Sequence, residues 1–314
     1  MKKREFAYDS YDGVTKIHAI EWVPDHEPIA VLQIAHGITE YIDRYDAFAE
    51  FLVSKGFVVI GNDHIGHGMS VAADAPEMYF GPKGSWNYAV EDLDRLLENT
   101  KARYPGIPYG MMGFSLGSYL VRTYLINYPK KVDAAILMGS GNKAPFEIKI
   151  GLFAAWLEKL RCGDSEESDL IDALTFDTYN KHFAPNRTGF DWLCSDREGL
   201  DAYIADRKRG NYVTPGLFRE MLNGMAYTAD QMNVSMMKKK LPVLIISGEE
   251  DPVGDFGKGV EKLYASFIRT GLRDTTLKMY PGLRHDLLHE TNHEEIYAYL
   301  HTWLEAKLLR VRVR

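Results

Sequence analysis

Three residue types that cooperate in nucleophilic catalysis stand at the ends of three short apolar runs. Ser115 lies in Gly113-Phe-Ser-Leu-Gly117, Asp251 in Gly248-Glu-Glu-Asp-Pro-Val253, and His285 in Pro281-Gly-Leu-Arg-His-Asp286. A serine hydroxyl attacks a carbonyl only when a base takes its proton, and an imidazole serves as that base when an acid holds it in the right tautomer. The glycines two residues either side of Ser115 permit a tight strand-to-helix turn, which lifts Oγ clear of the backbone and aims the first helical N–H groups at developing charge. The order serine, acid, histidine is the one expected when such an elbow rises from a parallel sheet.

Each position has rivals. Glu249, Glu250 and Asp255 flank Asp251, but Pro252 biases Asp251 alone toward extended geometry near the strand tip. The loop Gly139-Ser-Gly-Asn142 carries no carboxylate, so it offers no other acid. His289 and His293 follow His285 at intervals of four residues. That spacing could align zinc ligands on a helix, but Pro281-Gly282 makes the start of the run loop and no partner ligand motif accompanies it. Neither a metal nor a cofactor is expected, and a chelator should leave activity unchanged. The oxyanion of a tetrahedral intermediate needs backbone donors. The N–H of Leu116, just past the serine, and that of Ile38, following His36-Gly37, are the candidates; the Ile38 side chain could also line an acyl pocket. His36 reads as a structural hydrogen-bonding residue. In Asp63-His-Ile-Gly-His-Gly-Met-Ser70 the aspartate reads as a pin for a turn, and the glycine spacing does not fit a dinucleotide site.

These residues need a scaffold, and the hydrophobic pattern supplies one. Residues 6–8 and 15–23, around Asp12-Gly13, read as antiparallel strands. The runs 29–35, 57–61, the stretch leading to Gly113, 134–138, 243–247 and 275–280 read as buried parallel strands. Helical patterns fall between them near 42–52, 86–103, 119–127, 259–270 and 294–309. This alternation predicts an α/β fold with a mostly parallel central sheet flanked by helices, whose strand ends gather the site. From 142 to 233 the rhythm breaks into helical patterns over 148–160, 176–183, 192–206 and 218–225. The chain therefore divides into a core of 1–141 and 234–314 and an inserted helical cap of 142–233. Phe146, Ile150, Phe153, Trp156 and Leu157 in the first cap pattern, and Met221, Leu222 and Met225 in the last, are rich enough in large apolar groups to enclose an acyl chain. Phe153, Met221 and Met225, with Ile38, are the predicted substrate-binding residues.

With 314 residues and a net charge of −7, the chain can bury a large core and presents no nucleic-acid surface. Only Arg310-Val-Arg-Val-Arg314 is locally basic, and it reads as a solvated end. Two cysteines, Cys162 and Cys194, form no motif and read as reduced structural thiols, in keeping with a cytoplasmic setting. The N-terminus shows no apolar signal region, and no stretch approaches a membrane span. Oligomeric state is left open.

Taken together, the elbow, His36-Gly37, the Asp63-to-Ser70 turn, Asp251 and His285 resemble the α/β-hydrolase superfamily over the whole chain. More narrowly, His36-Gly-Ile-Thr-Glu40 leading to Asp43-Arg-Tyr45 and Gly248-Glu-Glu-Asp-Pro-Val253 resemble the monoacylglycerol lipase and lysophospholipase-like branch, also catalogued with serine aminopeptidases. The resemblance implies Ser115 as nucleophile, Asp251 as acid, His285 as base, Ile38 and Leu116 as oxyanion donors, and 142–233 as a substrate-covering lid. Two departures stand out: many relatives have Gly-His-Ser-Met-Gly at the elbow where this chain has Phe114 and Leu116, and an arginine where it has Ile65. The expected activity is hydrolysis of medium-to-long acyl esters such as monoacylglycerols or lysophospholipids through an acyl-enzyme. The rivals are a serine aminopeptidase or amidase, with Glu166, Glu167 and Asp169 as conceivable amine-binding carboxylates, and a non-catalytic binding protein that kept the fold.

Overall fold

The chain opens with β1 (Lys2–Asp9) and β2 (Lys16–Val23), which pair antiparallel across the Asp12-Gly13 turn. The computed structural model describes residues 1–309; the basic end Arg310-Val-Arg-Val-Arg314 lies outside them. β1 is longer than the pattern around Phe6 suggests because its charged residues face solvent at the sheet edge, where alternation is weak. β3 (Ala30–Ala35), β4 (Phe57–Asn62), β5 (Tyr109–Phe114), β6 (Ala134–Met138) and β7 (Val243–Gly248) are buried from end to end. Runs without polar alternation require cover on both faces, and they receive it. β8 (Thr275–Tyr280) closes the other edge and is half-buried. The eight strands lie in the order β1-β2-β4-β3-β5-β6-β7-β8, with β3 to β8 parallel. This is the α/β-hydrolase architecture.

Helices cover the two faces. α1 (Asp46–Ser54) packs on one face, where Phe48 and Leu52 are buried. α2 (Trp86–Arg103) and α3 (Leu116–Asn127) take the other, burying Leu93 and Leu120. α3 begins at Leu116, immediately after the elbow serine and three residues earlier than the apolar period suggests. It is buried on nearly every side, so it carries no polar stripe to mark its start.

Between β6 and β7 the described residues contain helices and turns but no strand: α4 (Pro145–Arg161), the short α5 (Asp169–Asp172) and α6 (Thr178–Asn180), α7 (Arg197–Ala205), α8 (Pro215–Ala229) and the short α9 (Gln231–Val234). The helical pattern over 192–206 begins only at Arg197, because Asp196 caps the helix by accepting from Gly199 N and leaves Trp192 in the preceding turn. α8 is fixed to the core at both ends. Near its start, Glu220 accepts from Gly84 N (3.0 Å) and Trp86 N (3.1 Å), satisfying donors at the head of α2. At its C-terminal end, the buried Arg122 of α3 donates to Thr228 O at 2.9 Å, a favourable place for a cation. α10 (Lys258–Arg269) and α11 (His293–Leu304) complete the two helical layers, α11 burying Ile296 and Leu300 beside α1. Cys162 and Cys194 are both free thiols.

Candidate active site

Ser115 occupies the turn between β5 and α3 with φ 50° and ψ −117°, a left-handed conformation costly for a residue with a side chain. The flanking glycines make that turn possible. A Cβ on Gly113 would lie 2.3 Å from Gly117 O, and one on Gly117 only 2.0 Å from Ala35 O. Ser115 N donates to Met138 O at 3.0 Å, which ties the elbow to β6. The hydroxyl-bearing side chain is half-buried at the carboxyl end of the sheet.

Asp251 follows β7 and His285 follows β8, and both are fully buried. His285 Nδ1 lies 2.9 Å from Asp251 Oδ2. Nδ1 makes no hydrogen bond across this close contact; catalytic hydrogen bonds are commonly loose in substrate-free sites and tighten on binding. The carboxylate is fixed independently: Oδ1 accepts from Val253 N (2.8 Å) and Oδ2 from Ser247 Oγ (3.1 Å). The imidazole lies against Phe114, the residue before the serine, at 4.8 Å between ring centroids, and against Trp192 at 5.2 Å. Gly139 makes room for it, since a Cβ there would come within 2.8 Å of the ring. Glu249, Glu250 and Asp255 form no hydrogen bond or ion pair with His285, whose carboxylate neighbour is Asp251. His289 binds Asp286 through Nδ1 (2.8 Å), and His293 Nδ1 lies 2.9 Å from Glu290 O.

The Ile38 and Leu116 N–H groups have no acceptor among the described residues. Leu116 N is one of the donors that every helix leaves free at its start. Beside Ile38 the loop is held by the buried Glu40, which accepts from Gly37 N, from Tyr45 Oη (2.8 Å) and from Arg44 Nε (3.2 Å). Arg44 also lies 3.6 Å from Asp286, and so reaches the residue next to His285. His36 donates through Nδ1 to Gly37 O (2.7 Å) and accepts from His64 N through Nε2 (2.9 Å), a bonding pattern that defines one neutral tautomer. Burial holds its pKa well below the ordinary imidazole value, and lowers His64 to about 3 and His67 to about 4. Asp63 pins the glycine turn, accepting from Ile42 N and Met69 N at 2.8 Å each.

The helical segment meets His285 and its neighbours directly. Asp286 N donates to Leu193 O (2.7 Å), and Glu290 accepts from both Ser195 N and Arg284 N at 3.0 Å. A groove of ≈ 320 Å³ runs between α4, the turns around α6, and α8. Met221, Met225, Leu222, Phe218 and Ile150 form its apolar wall, and Tyr179 lines it too. The Tyr179 ring lies 5.2 Å from Trp192, so a chain of rings runs from the groove to His285. Phe153 is placed differently from the sequence expectation. It is 59% exposed on the outer face of α4, stacked on Trp156 at 5.7 Å, and is not among the groove residues. α4 is apolar on two faces: Ile148, Gly151 and Ala155 turn inward, so Phe153 turns out. The sequence reading also missed Trp192 and Tyr179. Trp192 sits in a turn and Tyr179 in a single helical turn, too short for a period to reveal a face.

Residues 26–292 match the family model described as serine aminopeptidase, S33. The chain is 25% identical over 311 residues to a monoacylglycerol lipase of Mycolicibacterium smegmatis, covering 98% of each. It is 24% identical over 296 residues to a monoglyceride lipase of Rattus norvegicus, covering 91% of this chain and 86% of that one. Among solved structures, a thermostable carboxyl esterase from Bacillus coagulans in complex with glycerol superposes with a TM-score of 0.89 at 23% identity, covering 98% of this chain and 99% of that one. At that identity the likeness bears on fold alone.

Proposed function

The chain belongs to the serine aminopeptidase S33 family of α/β-hydrolases, and from that premise we propose that it is a serine hydrolase of carboxylic esters with medium-to-long acyl chains, such as monoacylglycerols or lysophospholipids. The observation that carries this reading is the buried His285 ring, 2.9 Å from Asp251 and packed against the residue that precedes a strained Ser115. In the proposed reaction His285 takes the Ser115 proton as Oγ attacks the ester carbonyl. The oxyanion accepts from Ile38 N–H and Leu116 N–H. His285 then protonates the leaving alcohol, and water, activated by the same imidazole, releases the carboxylic acid from the acyl-enzyme. Asp251 holds the Nδ1–H tautomer and stabilises the imidazolium.

Residues 142–233 act as the lid in this reading. The groove beside Tyr179 takes the acyl chain, and each sheltered methylene contributes up to ~0.8 kcal/mol. α4 also presents Phe146, Ile150, Phe153, Trp156 and Leu160 to solvent, each more than half exposed. An apolar patch of this kind suits contact with a lipid–water interface, and Ile150 belongs to both the patch and the groove wall. The peptidase alternative needs a carboxylate to hold a free amine near the site. Glu166, Glu167 and Asp169 are exposed and outside the groove, whose lining includes a single carboxylate, Glu147.

The test is a panel of p-nitrophenyl and glyceryl esters from about two to sixteen carbons beside aminoacyl-p-nitroanilides. Ester turnover should far exceed anilide turnover and rise with chain length. Anilide rates equal to or above ester rates would sink the reading, and an optimum at acetate would remove the acyl groove from it. No turnover and no labelling by a fluorophosphonate probe would favour a binding protein.

A further inference from the structure

An apolar groove built for a neutral chain has no need of a cation, yet this one contains a charge without a counter-ion. Lys143, half-buried between β6 and α4, lines the groove with Tyr179. Its Nζ stands 5.4 Å from the centroid of the Tyr179 ring. No carboxylate lies within 4 Å of it among the described residues. Glu147, the groove's one carboxylate, instead uses Oε2 to accept from Ala144 N at 2.7 Å, where it caps α4. Tyr179 Oη has no hydrogen-bond partner among the described residues, and burial keeps its phenol protonated, a donor. The groove therefore joins an apolar trough to an ammonium and a phenolic O–H, and its Tyr179 end leads through Trp192 to His285.

We propose that this groove binds free fatty carboxylates, the chain lying against Met221, Met225 and Phe218 and the carboxylate held by Lys143 Nζ and Tyr179 Oη. The inference rests on the reading of the groove as the acyl site. It adds that the released acid remains bound as an anion in the groove, making it an inhibitor of its own formation. An anionic amphiphile satisfies both parts of the site, whereas a fatty alcohol of equal length satisfies only the apolar wall. A cation in a partly apolar setting favours the charged partner, and its contribution weakens with salt.

The experiment is calorimetric binding of decanoate and decanol, below their aggregation limits, to the intact protein and to Lys143→Met, which keeps a stem of similar length. Decanoate should bind the wild type about tenfold more tightly than decanol. Lys143→Met should remove most of that difference by weakening decanoate and leaving decanol unchanged, and Tyr179→Phe should remove part of it. Equal binding of the two ligands by the wild type, a decanoate affinity untouched by Lys143→Met, or no binding of either ligand would overturn the proposal. Because the readout is heat, it is independent of turnover. Absent ester hydrolysis in the same preparation would count against the catalytic reading while decanoate binding still decides this one.

Discussion

Asp251 accepts from two donors, Val253 N and Ser247 Oγ, so its carboxylate is aimed independently of the imidazole. Asp251→Asn would keep that placement but offer a donor, or a weaker acceptor, to Nδ1–H. The tautomer would then be lost, and kcat should fall by roughly 10⁴-fold. Ser115→Ala and His285→Ala should each cost several orders of magnitude. The double variant should be scarcely worse than either one, since the two groups act as a unit. His289→Ala should retain most activity, because the His289 ring bonds to Asp286 and Arg44 O and not to Ser115, Asp251 or His285. Steady-state kinetics on one soluble ester, with circular dichroism to verify folding, would decide. An inactive His289→Ala beside an active His285→Ala would move the base four residues downstream.

At the scale of elements, α4 and α8 divide the work of the helical segment. Met225 of α8 is buried in the groove wall, while Phe153 of α4 is exposed and faces away from it. Met225→Asp would place a charge in the apolar wall and should depress kcat/KM for long-chain esters by about tenfold or more while sparing acetate esters. Phe153→Asp should leave dissolved esters unaffected and slow the hydrolysis of esters presented in vesicles or emulsions. Equal losses on short and long esters for Met225→Asp would place the acyl groove elsewhere. This division was only partly legible in the sequence. Ser115, Asp251 and His285 could be located because each ends an apolar strand run, and strand ends are where a parallel sheet gathers its chemistry. α4 has apolar residues around most of its circumference, so its period gives a helix without saying which face meets the core. Trp192 reaches His285 from a turn, and Tyr179 packs on Trp192 from a single helical turn; both positions depend on packing between distant segments, and no local spacing encodes that.

Across the whole molecule, the sheet and its two helical layers were readable because buried parallel strands leave long unpolar runs, whereas the direct contacts between the helical segment and His285 were not. The same burial sets how the fold responds to acid. His36, His64 and His67 lie within one cluster, with ring centroids 4.0 Å apart for His36 and His64 and 5.4 Å for His36 and His67. All three are held neutral, mainly by desolvation. Their folded pKa values lie below the unfolded value of about 6.5, so below that pH the unfolded chain binds protons that the folded chain refuses. Stability contributed by keeping them neutral is therefore present above about pH 6.5 and is lost as pH falls toward 4. Asp92 and Asp172, each raised to about 6 chiefly by burial, act in the opposite sense over part of the same range. The net slope thus mixes both groups, but a single substitution separates them. His67→Gln removes one titrating imidazole and leaves both carboxylates in place, so they cancel when variant and wild type are compared. Between about pH 4.5 and 6 the variant's unfolding free energy should depend on pH less steeply, by about 1 kcal/mol per pH unit. Above pH 7 the two slopes should coincide. Urea denaturation at several pH values would measure the difference, and parallel curves through the acid range would show that His67 is protonated in the folded protein as readily as in the unfolded chain.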